Sequence, residues 1–192
     1  MIPPHGGYHN LKSYQVAEIV FDATNAFCER FINPRSRTYD QMVQAARSGK
    51  QNIAEASQTS GTSKKSELRL VDVARASLQE LLEDYKDFLR LRKLPIWPKN
   101  HPQAVIIRNL AYRTDRTYET YRSYVEESPP EIAANTMVCL VNQANFLLDR
   151  QLESLERAFL NEGGFTERLY NARRQSRSHQ SYPSHRSHPP KD

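Results

Sequence analysis

Polar and small side chains recur at helical spacing along two consecutive stretches of the chain, where helices that pack together ordinarily carry apolar residues. Carboxylates, an amide and hydroxyls brought to one place could perform acid–base chemistry. They could also hydrogen-bond across a pair of helices and fix one alignment of the two, since buried polar groups must find partners. We interpret them as an alignment network rather than a catalytic one. The residues of this network are Ser48, Asn52, Glu55, Ser77 and Glu80.

Other catalytic and metal-binding patterns are missing from the sequence. There is no Glu-x-x-His pair of the kind that binds two irons in helical bundles, and no glycine-rich phosphate loop. Outside the C-terminal tail, His5, His9 and His101 lie in the N-terminal arm or at expected helix boundaries, away from any nucleophile. Cys28 and Cys139 match no zinc-ligand spacing and are predicted to be reduced core thiols, with a disulfide as the alternative. We therefore predict that the protein is not an enzyme and uses no cofactor or metal.

Basic side chains are concentrated near the turn between the second and third predicted helices. If these helices are antiparallel about Gly61, residues whose numbers sum to about 124 lie level, which would gather the cations at one end. Lysines in the first turn of a helix oppose its macrodipole, so their presence there favours an anionic ligand such as RNA or DNA. A solvated charged face is the alternative. The predicted nucleic-acid-binding residues are Arg47, Lys50, Lys64, Lys65 and Arg69, assisted by Arg173, Arg174 and Arg177.

The same register predicts contacts between the second and third helices. It places Glu55 opposite Arg69 as an ion pair and Ser48 opposite Ala76 as a close contact of small residues. A leucine at position 48 would then overpack the contact between the helices. We also expect Lys64 and Lys65 to be exposed and to tolerate replacement by glutamate.

Segments 47–55, 63–67 and 74–81 together carry a family resemblance. They read Arg-Ser-Gly-Lys-Gln-Asn-Ile-Ala-Glu, then Ser-Lys-Lys-Ser-Glu, then Ala-Arg-Ala-Ser-Leu-Gln-Glu-Leu. This pattern resembles the bacterial four-helix-bundle proteins encoded in intervening sequences of large-subunit ribosomal RNA genes, in the branch with a suffix domain. Relatives of that family include the accessory variability determinant of diversity-generating retroelements. The resemblance implies a homo-oligomer, a pentamer with a positively charged barrel that engages nucleic acid and a reverse transcriptase.

Apolar residues follow helical spacing almost everywhere, which predicts an all-α protein. Four of the helices should form an antiparallel up-down four-helix bundle. A stretch rich in Tyr and Arg, 102–125, is then an inserted helix between bundle helices three and four. Capping signals stand at Thr38, Ser63 and Ser128. The predicted helices are 10–32, 38–60, 63–93, 102–125 and 131–160.

The net charge of +5 resides mainly in the C-terminal segment. Residues 165–192 hold six basic and two acidic residues, a net +4, and the rest of the chain is nearly neutral. Because this segment has few apolar side chains, it is predicted to end in a disordered basic tail. We divide the chain into an N-terminal arm (1–9), the bundle (10–164), a short suffix (165–174) and the tail (175–192). No apolar run is long enough for a membrane span or a secretory leader, so we expect a cytoplasmic protein.

Two functions from different classes stay open. The first is a nucleic-acid-associated accessory protein that binds RNA, DNA or a protein partner such as a reverse transcriptase. The second is a homo-oligomeric scaffold for protein–protein interaction, which a nearly neutral body suits as well. A weaker reason for self-association is that the first and last helices carry more large apolar residues than one core can hide. These residues are Tyr14, Phe21, Phe31, Leu148 and Phe159.

Overall fold

The computed structural model describes residues 6–162 together with Tyr170, Arg173 and Arg174. All of the regular structure in these residues is helical, which confirms the predicted all-α class. Four of the helices are long and one is short. They are α1 (Lys12–Phe31), α2 (Arg37–Thr59), α3 (Lys64–Leu91), α4 (Pro102–Leu110) and α5 (Pro130–Glu162).

The four long helices pack side by side, each against two others. α1 and α3 both contact α2 and α5. Neighbouring helices run in opposite directions. Between α3 and α5, Arg75 pairs with Asp149 and Gln79 accepts a hydrogen bond from Asn145, so residue numbers fall along one helix as they rise along the other. Contacts between α1 and α2 and between α1 and α5 show the same reversal.

The apolar stripes of the long helices meet in one core. Aromatic rings fill the part near the C-terminal end of α1, where Phe27 packs edge-to-face on Tyr85 with ring centroids 4.9 Å apart. The Tyr85 hydroxyl, fully buried, donates to the Thr24 hydroxyl at 2.9 Å, so this polar pair satisfies itself inside the core. Both cysteines are free thiols, as predicted. Other fully buried side chains include Val20, Ile53, Leu78, Leu81, Met137, Leu140 and Leu148.

The close contact between α2 and α3 occurs at Gly49 rather than at Ser48. A Cβ atom on Gly49 would lie 2.6 Å from both Cγ and Cδ2 of Leu78, so only glycine fits without a shift. Ala76, the predicted partner of Ser48, is exposed on the outer side of α3. The predicted register was therefore wrong for this contact.

The predicted ion pair between Glu55 and Arg69 was also wrong. Both side chains are exposed, and the ion pairs among the described residues do not include one between them. The two residues lie on the solvent faces of their helices. Two residues at the same level of antiparallel helices do not face each other when both side chains point to solvent.

Serine caps set the starts of two helices. α3 begins as predicted, with Ser63 Oγ accepting a hydrogen bond from the Ser66 amide at 3.2 Å. α2 begins earlier than predicted, because Ser36 Oγ accepts from the Tyr39 amide at 3.3 Å. Thr38 consequently lies within the first turn and is not the cap.

The stretch 102–125 is not one helix, contrary to the prediction. After α4 the chain forms a 3₁₀ turn at Tyr118–Thr120 and a π-helical turn at Ser123–Glu127. Ser128, the serine predicted to cap the last helix, donates its hydroxyl to the Ser123 carbonyl at 3.1 Å, and α5 starts at Pro130. α4 packs on α5, and the two later turns contact α1 or α5. We call residues 95–128 the insertion.

The connector between α3 and α4 is fixed to α5 through Trp97, which is only 8% exposed. The Trp97 amide donates to Asn135 Oδ1 at 2.9 Å, and its indole Nε1 donates to Glu131 Oε1 at 3.1 Å. Asn135 Nδ2 donates to the Pro95 carbonyl at 3.0 Å, and the His101 ring stacks on the indole. The Trp97 amide, the Trp97 indole and the Pro95 carbonyl thus find their partners on α5, whereas the buried His101 Nδ1 has none among the described residues.

The predicted suffix and tail lie almost entirely outside the described residues. Tyr170, Arg173 and Arg174 are helical and exposed. None of the described helices combines the length and the apolar composition that crossing a membrane requires.

Candidate anionic-partner interface

The residues assigned to the alignment network do not bond across the helix pair. Asn52 Nδ2 donates to the Ser48 carbonyl at 2.9 Å, and Ser77 Oγ donates to the Val73 carbonyl at 3.0 Å. Both bonds return to the side chain's own helix, as short polar side chains commonly do. Glu55 and Glu80 are exposed. The network interpretation was therefore wrong in its contacts, because Asn52 and Ser77 bond to carbonyls one turn away on their own helices and the two glutamates face solvent.

Lys64 and Lys65 are adjacent but have different environments. Lys64 Nζ lies 2.8 Å from Glu67 Oε2, and Glu67 is only 7% exposed. Lys64 thus neutralises a carboxylate on the core side of α3, and its own side chain is 20% exposed. Lys65 and Arg69 are exposed to solvent. The expectation that both lysines are exposed holds for Lys65 alone.

Lys50 and Arg47 do not join the cations of α3. Lys50 Nζ lies 4.3 Å from the centroid of the Phe21 ring on α1, a cation–π contact. Burial raises the pKa of nearby Asp22, and the Lys50 charge opposes that rise. Gly49 contacts Leu78, so the neighbouring Lys50 is nearly level with Leu78 along α3. Lys64 stands at the start of α3, and a rise of 1.5 Å per residue separates it from that level by roughly 20 Å along the helix axis. Arg47, almost one turn further, is exposed. The predicted gathering of these five cations was wrong.

A cleft opens at the end of the molecule where α1 and α3 begin. Its volume is about 540 Å³, and it lies between the starts of α1 and α3, the last turn of α2 and the C-terminal half of α5. Lys12 and Arg150 are exposed at its rim, whereas Ser13 and Glu67 are buried. The Ser13 hydroxyl donates to Gln151 Oε1 at 2.7 Å. The polar lining residues are Lys12, Ser13, Ser57, Ser60, Glu67, Arg150, Gln151 and Ser154.

We define the basic end as Lys12, Lys65, Arg69 and Arg150. All four are exposed at the end of the molecule that bears the N-termini of α1 and α3, whose macrodipoles contribute partial positive charge there, whereas the C-terminus of α2 at the same end contributes partial negative charge. Sequence reasoning missed Lys12 and Arg150 because α1 and α5 reach this end only in three dimensions. Of the tail arginines, Arg173 and Arg174 are exposed helical residues and Arg177 lies outside the described residues.

The apolar residues expected to support self-association are not the exposed ones. Tyr14 and Leu148 are buried, and the other three are half-buried. Tyr14 and Leu148 belong to the core, and Phe21 and Phe31 pack against it, because four long helices provide more interior than two helices alone suggest. The large apolar side chains that are exposed lie mostly elsewhere: Val73, Leu91, Ile96, Val105, Ile106, Tyr112, Phe146, Leu160 and Tyr170.

Comparisons of the chain with models of known protein families, with curated proteins and with solved structures find no match.

Proposed function

We propose that this chain is a cytoplasmic, non-enzymatic accessory protein that assembles with copies of itself and binds nucleic acid through its basic end. Its architecture in this proposal is an antiparallel up-down four-helix bundle carrying an insertion before the last bundle helix. The observation that carries the proposal is the placement of Lys65 and Arg69, exposed in the first two turns of α3. Cations there work against the helix macrodipole, and phosphate groups would relieve that cost.

The sequence pattern of segments 47–55, 63–67 and 74–81 supports the same proposal. It resembles the proteins encoded in ribosomal RNA intervening sequences and, through them, the retroelement accessory proteins. On that resemblance we propose a pentamer whose protein partner processes nucleic acid, as a reverse transcriptase does. Repetition of the basic end around an oligomer would convert a weak phosphate contact into useful avidity.

The first experiment compares wild type with a double variant, Lys65→Glu/Arg69→Glu, in titrations with RNA and with DNA at two salt concentrations. If binding is phosphate neutralisation, each lost cation lowers the slope of log affinity against log salt by roughly one unit. Lys64 is left unchanged because its loss would strand the Glu67 carboxylate. The matched control is Arg35→Glu/Lys93→Glu, which reverses two exposed cations at the opposite end.

A chain ending at Gly164 tests the contribution of Arg173, Arg174 and Arg177 in the same titrations. We expect weaker binding with a smaller salt slope, because these three arginines and the three other cations of residues 165–192 are lost with the segment. Equal affinity for wild type, the basic-end variant and the shortened chain, or no binding by wild type at low salt, would remove nucleic acid as the partner.

The second candidate function is a homo-oligomeric scaffold without a nucleic-acid role. Exposed apolar side chains on the insertion, Val105, Ile106 and Tyr112, favour contact with a protein surface. Glu153 and Glu156 are also exposed on α5 toward the basic end, so the charge there is mixed. Light scattering tests self-association for both candidates. A mass near the 22.2 kDa of one chain at micromolar concentration would exclude a stable homo-oligomer.

A further inference from the structure

The outer face of the insertion is both apolar and basic. α4 buries Ala104 and Ile107 against α5, which leaves Val105 37% and Ile106 50% exposed on its other side. Tyr112, just after α4, is 85% exposed. Residues 95–114 contain three cations and no carboxylate, and one of the three, Arg113, is paired with Asp115, which leaves Lys99 and Arg108. A surface of this composition suits an acidic partner that has room for aliphatic side chains.

A groove with the opposite charge runs between α2 and α3. Its volume is about 830 Å³, and Asp40, Glu80, Glu83 and Asp84 line it together with one cation, Arg37, among the described residues. The ion pairs of the described part of the chain include Glu83 with Lys86, but none of the other three carboxylates. Burial and the charges of Asp87 and Glu80 raise the pKa of Asp84. The groove therefore has a negative charge that its own side chains leave uncompensated.

Small side chains keep this groove open. Ala45, Ser48 and Ser77 line the groove together with the carboxylates, and the Ser77 hydroxyl is turned back to its own helix. The Ser48 hydroxyl accepts a hydrogen bond from Gln44 of the same helix. The polar and small pattern that stands out in the sequence at positions 48 and 77 thus gives neither a catalytic group nor a cross-helix bond. It leaves space between α2 and α3 into which a side chain from outside can enter.

We propose that the outer face of α4 in one copy of this chain docks into the α2–α3 groove of a second copy. Ile106 would enter between the small side chains, and Lys99 and Arg108 would face Glu80 and Asp84. This inference rests on the homo-oligomer proposed above and names its interface. The opposite charges of the two surfaces select a second copy as the occupant.

The two surfaces lie on opposite sides of the molecule, so one chain cannot join its own. The insertion packs on α5 and α1, whereas the groove lies between α2 and α3. Both surfaces are at the same end, since the C-terminal half of α3 and the start of α2 line the groove and the start of α5 holds the insertion. A contact between unlike surfaces is heterologous, and repeated contacts of this kind close into a ring when the rotation permits.

The experiment uses full-length variants that each remove one surface. Ile106→Asp disables the insertion face, and Glu80→Lys/Asp84→Lys disables the groove. Leu91→Asp is the matched control, because Leu91 is an apolar side chain exposed 70% at the end of α3, outside both surfaces. Circular dichroism and thermal melts establish that each variant is folded. If Ile106→Asp is not folded, Tyr112→Asp tests the same face at a more exposed position.

We expect wild type and Leu91→Asp to be oligomers by light scattering and each surface variant alone to be a single chain of 22.2 kDa. An equal mixture of the two surface variants should form a dimer, because each copy retains one working surface. If wild type is oligomeric and the surface variants keep its mass, the proposed α4–groove interface is wrong and the proposed homo-oligomer is supported. If wild type is a single chain, the proposed interface and the proposed homo-oligomer are both wrong.

The groove has one other basic candidate occupant, the C-terminal segment of the chain itself. A chain ending at Gly164 distinguishes docking of α4 from binding of the C-terminal segment. If its mass falls to one chain while Ile106→Asp keeps the mass of wild type, the groove takes that segment and the docking of α4 is wrong. An unchanged oligomer for the shortened chain supports α4 as the occupant.

Discussion

Gly49 allows α2 and α3 to approach each other where Leu78 crosses between them. Replacing Gly49 with alanine gains up to about 1 kcal/mol of helix propensity but places a methyl group against Leu78. Overpacking of a core typically costs about 1–3 kcal/mol, so we expect a net loss of stability of about 1–2 kcal/mol for Gly49→Ala. Urea unfolding measures it, with Ser48→Ala as the neighbouring control. A Gly49→Ala protein more stable than wild type by about 1 kcal/mol would show that Leu78 moves aside freely, because only the gain in helix propensity would then remain.

The adjacent lysines at the start of α3 provide a second comparison at this scale. Lys64→Met would leave the buried Glu67 carboxylate without its cation, a change we expect to cost about 1–3 kcal/mol. Lys65→Met removes an exposed charge and should change stability by less than about 0.5 kcal/mol. Thermal melts of the two variants in parallel make the test. Equal midpoints would mean that the ion pair of Lys64 contributes nothing.

The roles of individual residues were the hardest feature of the structure to predict from the sequence. The pattern at 47–55 predicts that small and polar residues set the α2–α3 contact, and of these residues the small Gly49 makes the close approach while the polar ones do not bond across it. Spacing alone could not tell that Gly49 makes the close approach or that Ser77 bonds its own helix. These outcomes depend on rotations of a helix by tens of degrees, which hydrophobic periodicity does not resolve. Lys12 and Arg150 carried no local signal at all.

At the scale of elements, the long helices were predictable because their signals are local. Apolar stripes, the Ser63 cap and the Gly61 stop define α1, α2, α3 and α5 within a few residues. The insertion was not predictable in the same way. Its short helical turns are held by contacts with α1 and α5 and by the connector bonds to Asn135, none of which is local in sequence.

Asn135 is therefore the residue by which the insertion can be tested as an element. Asn135→Ala would remove the acceptor of the buried Trp97 amide and the donor to the Pro95 carbonyl. Buried polar groups left without a partner cost about 1–3 kcal/mol each, so we expect the insertion to loosen before the long helices do. Amide hydrogen exchange in residues 95–128, compared with α2 and α3, measures this. Uniform loss of protection across the chain would contradict a separate insertion unit.

At the scale of the whole molecule, global stability should fall in alkaline solution. Burial raises the pKa of the Cys28 thiol from its ordinary value of 9.0 to about 12. As pH rises, the unfolded chain loses this proton first. The stability that the buried thiol contributes is fully present below about pH 9 and is lost as pH rises toward 12, at up to about 1.4 kcal/mol per pH unit.

The corresponding measurement is urea unfolding at pH 8 and pH 10 for wild type and Cys28→Ala. The variant should be less stable at pH 8, because it leaves a small cavity, yet lose less stability on going to pH 10. Parallel losses in the two proteins would show that Cys28 is not responsible. Burial also raises the pKa values of Cys139 and Tyr85, so a residual decline in the variant is expected.

The burial of Trp97 against α5 has a spectroscopic consequence. The chain contains one tryptophan, and its indole lies in an apolar, hydrogen-bonded site between Glu131 and the His101 ring. Fluorescence excited near the red edge of protein absorption therefore comes from a single chromophore on the connector. A red shift in emission without loss of far-ultraviolet ellipticity would mark release of the insertion while the long helices persist. The molecule thus carries an intrinsic optical probe for the attachment of the insertion to α5.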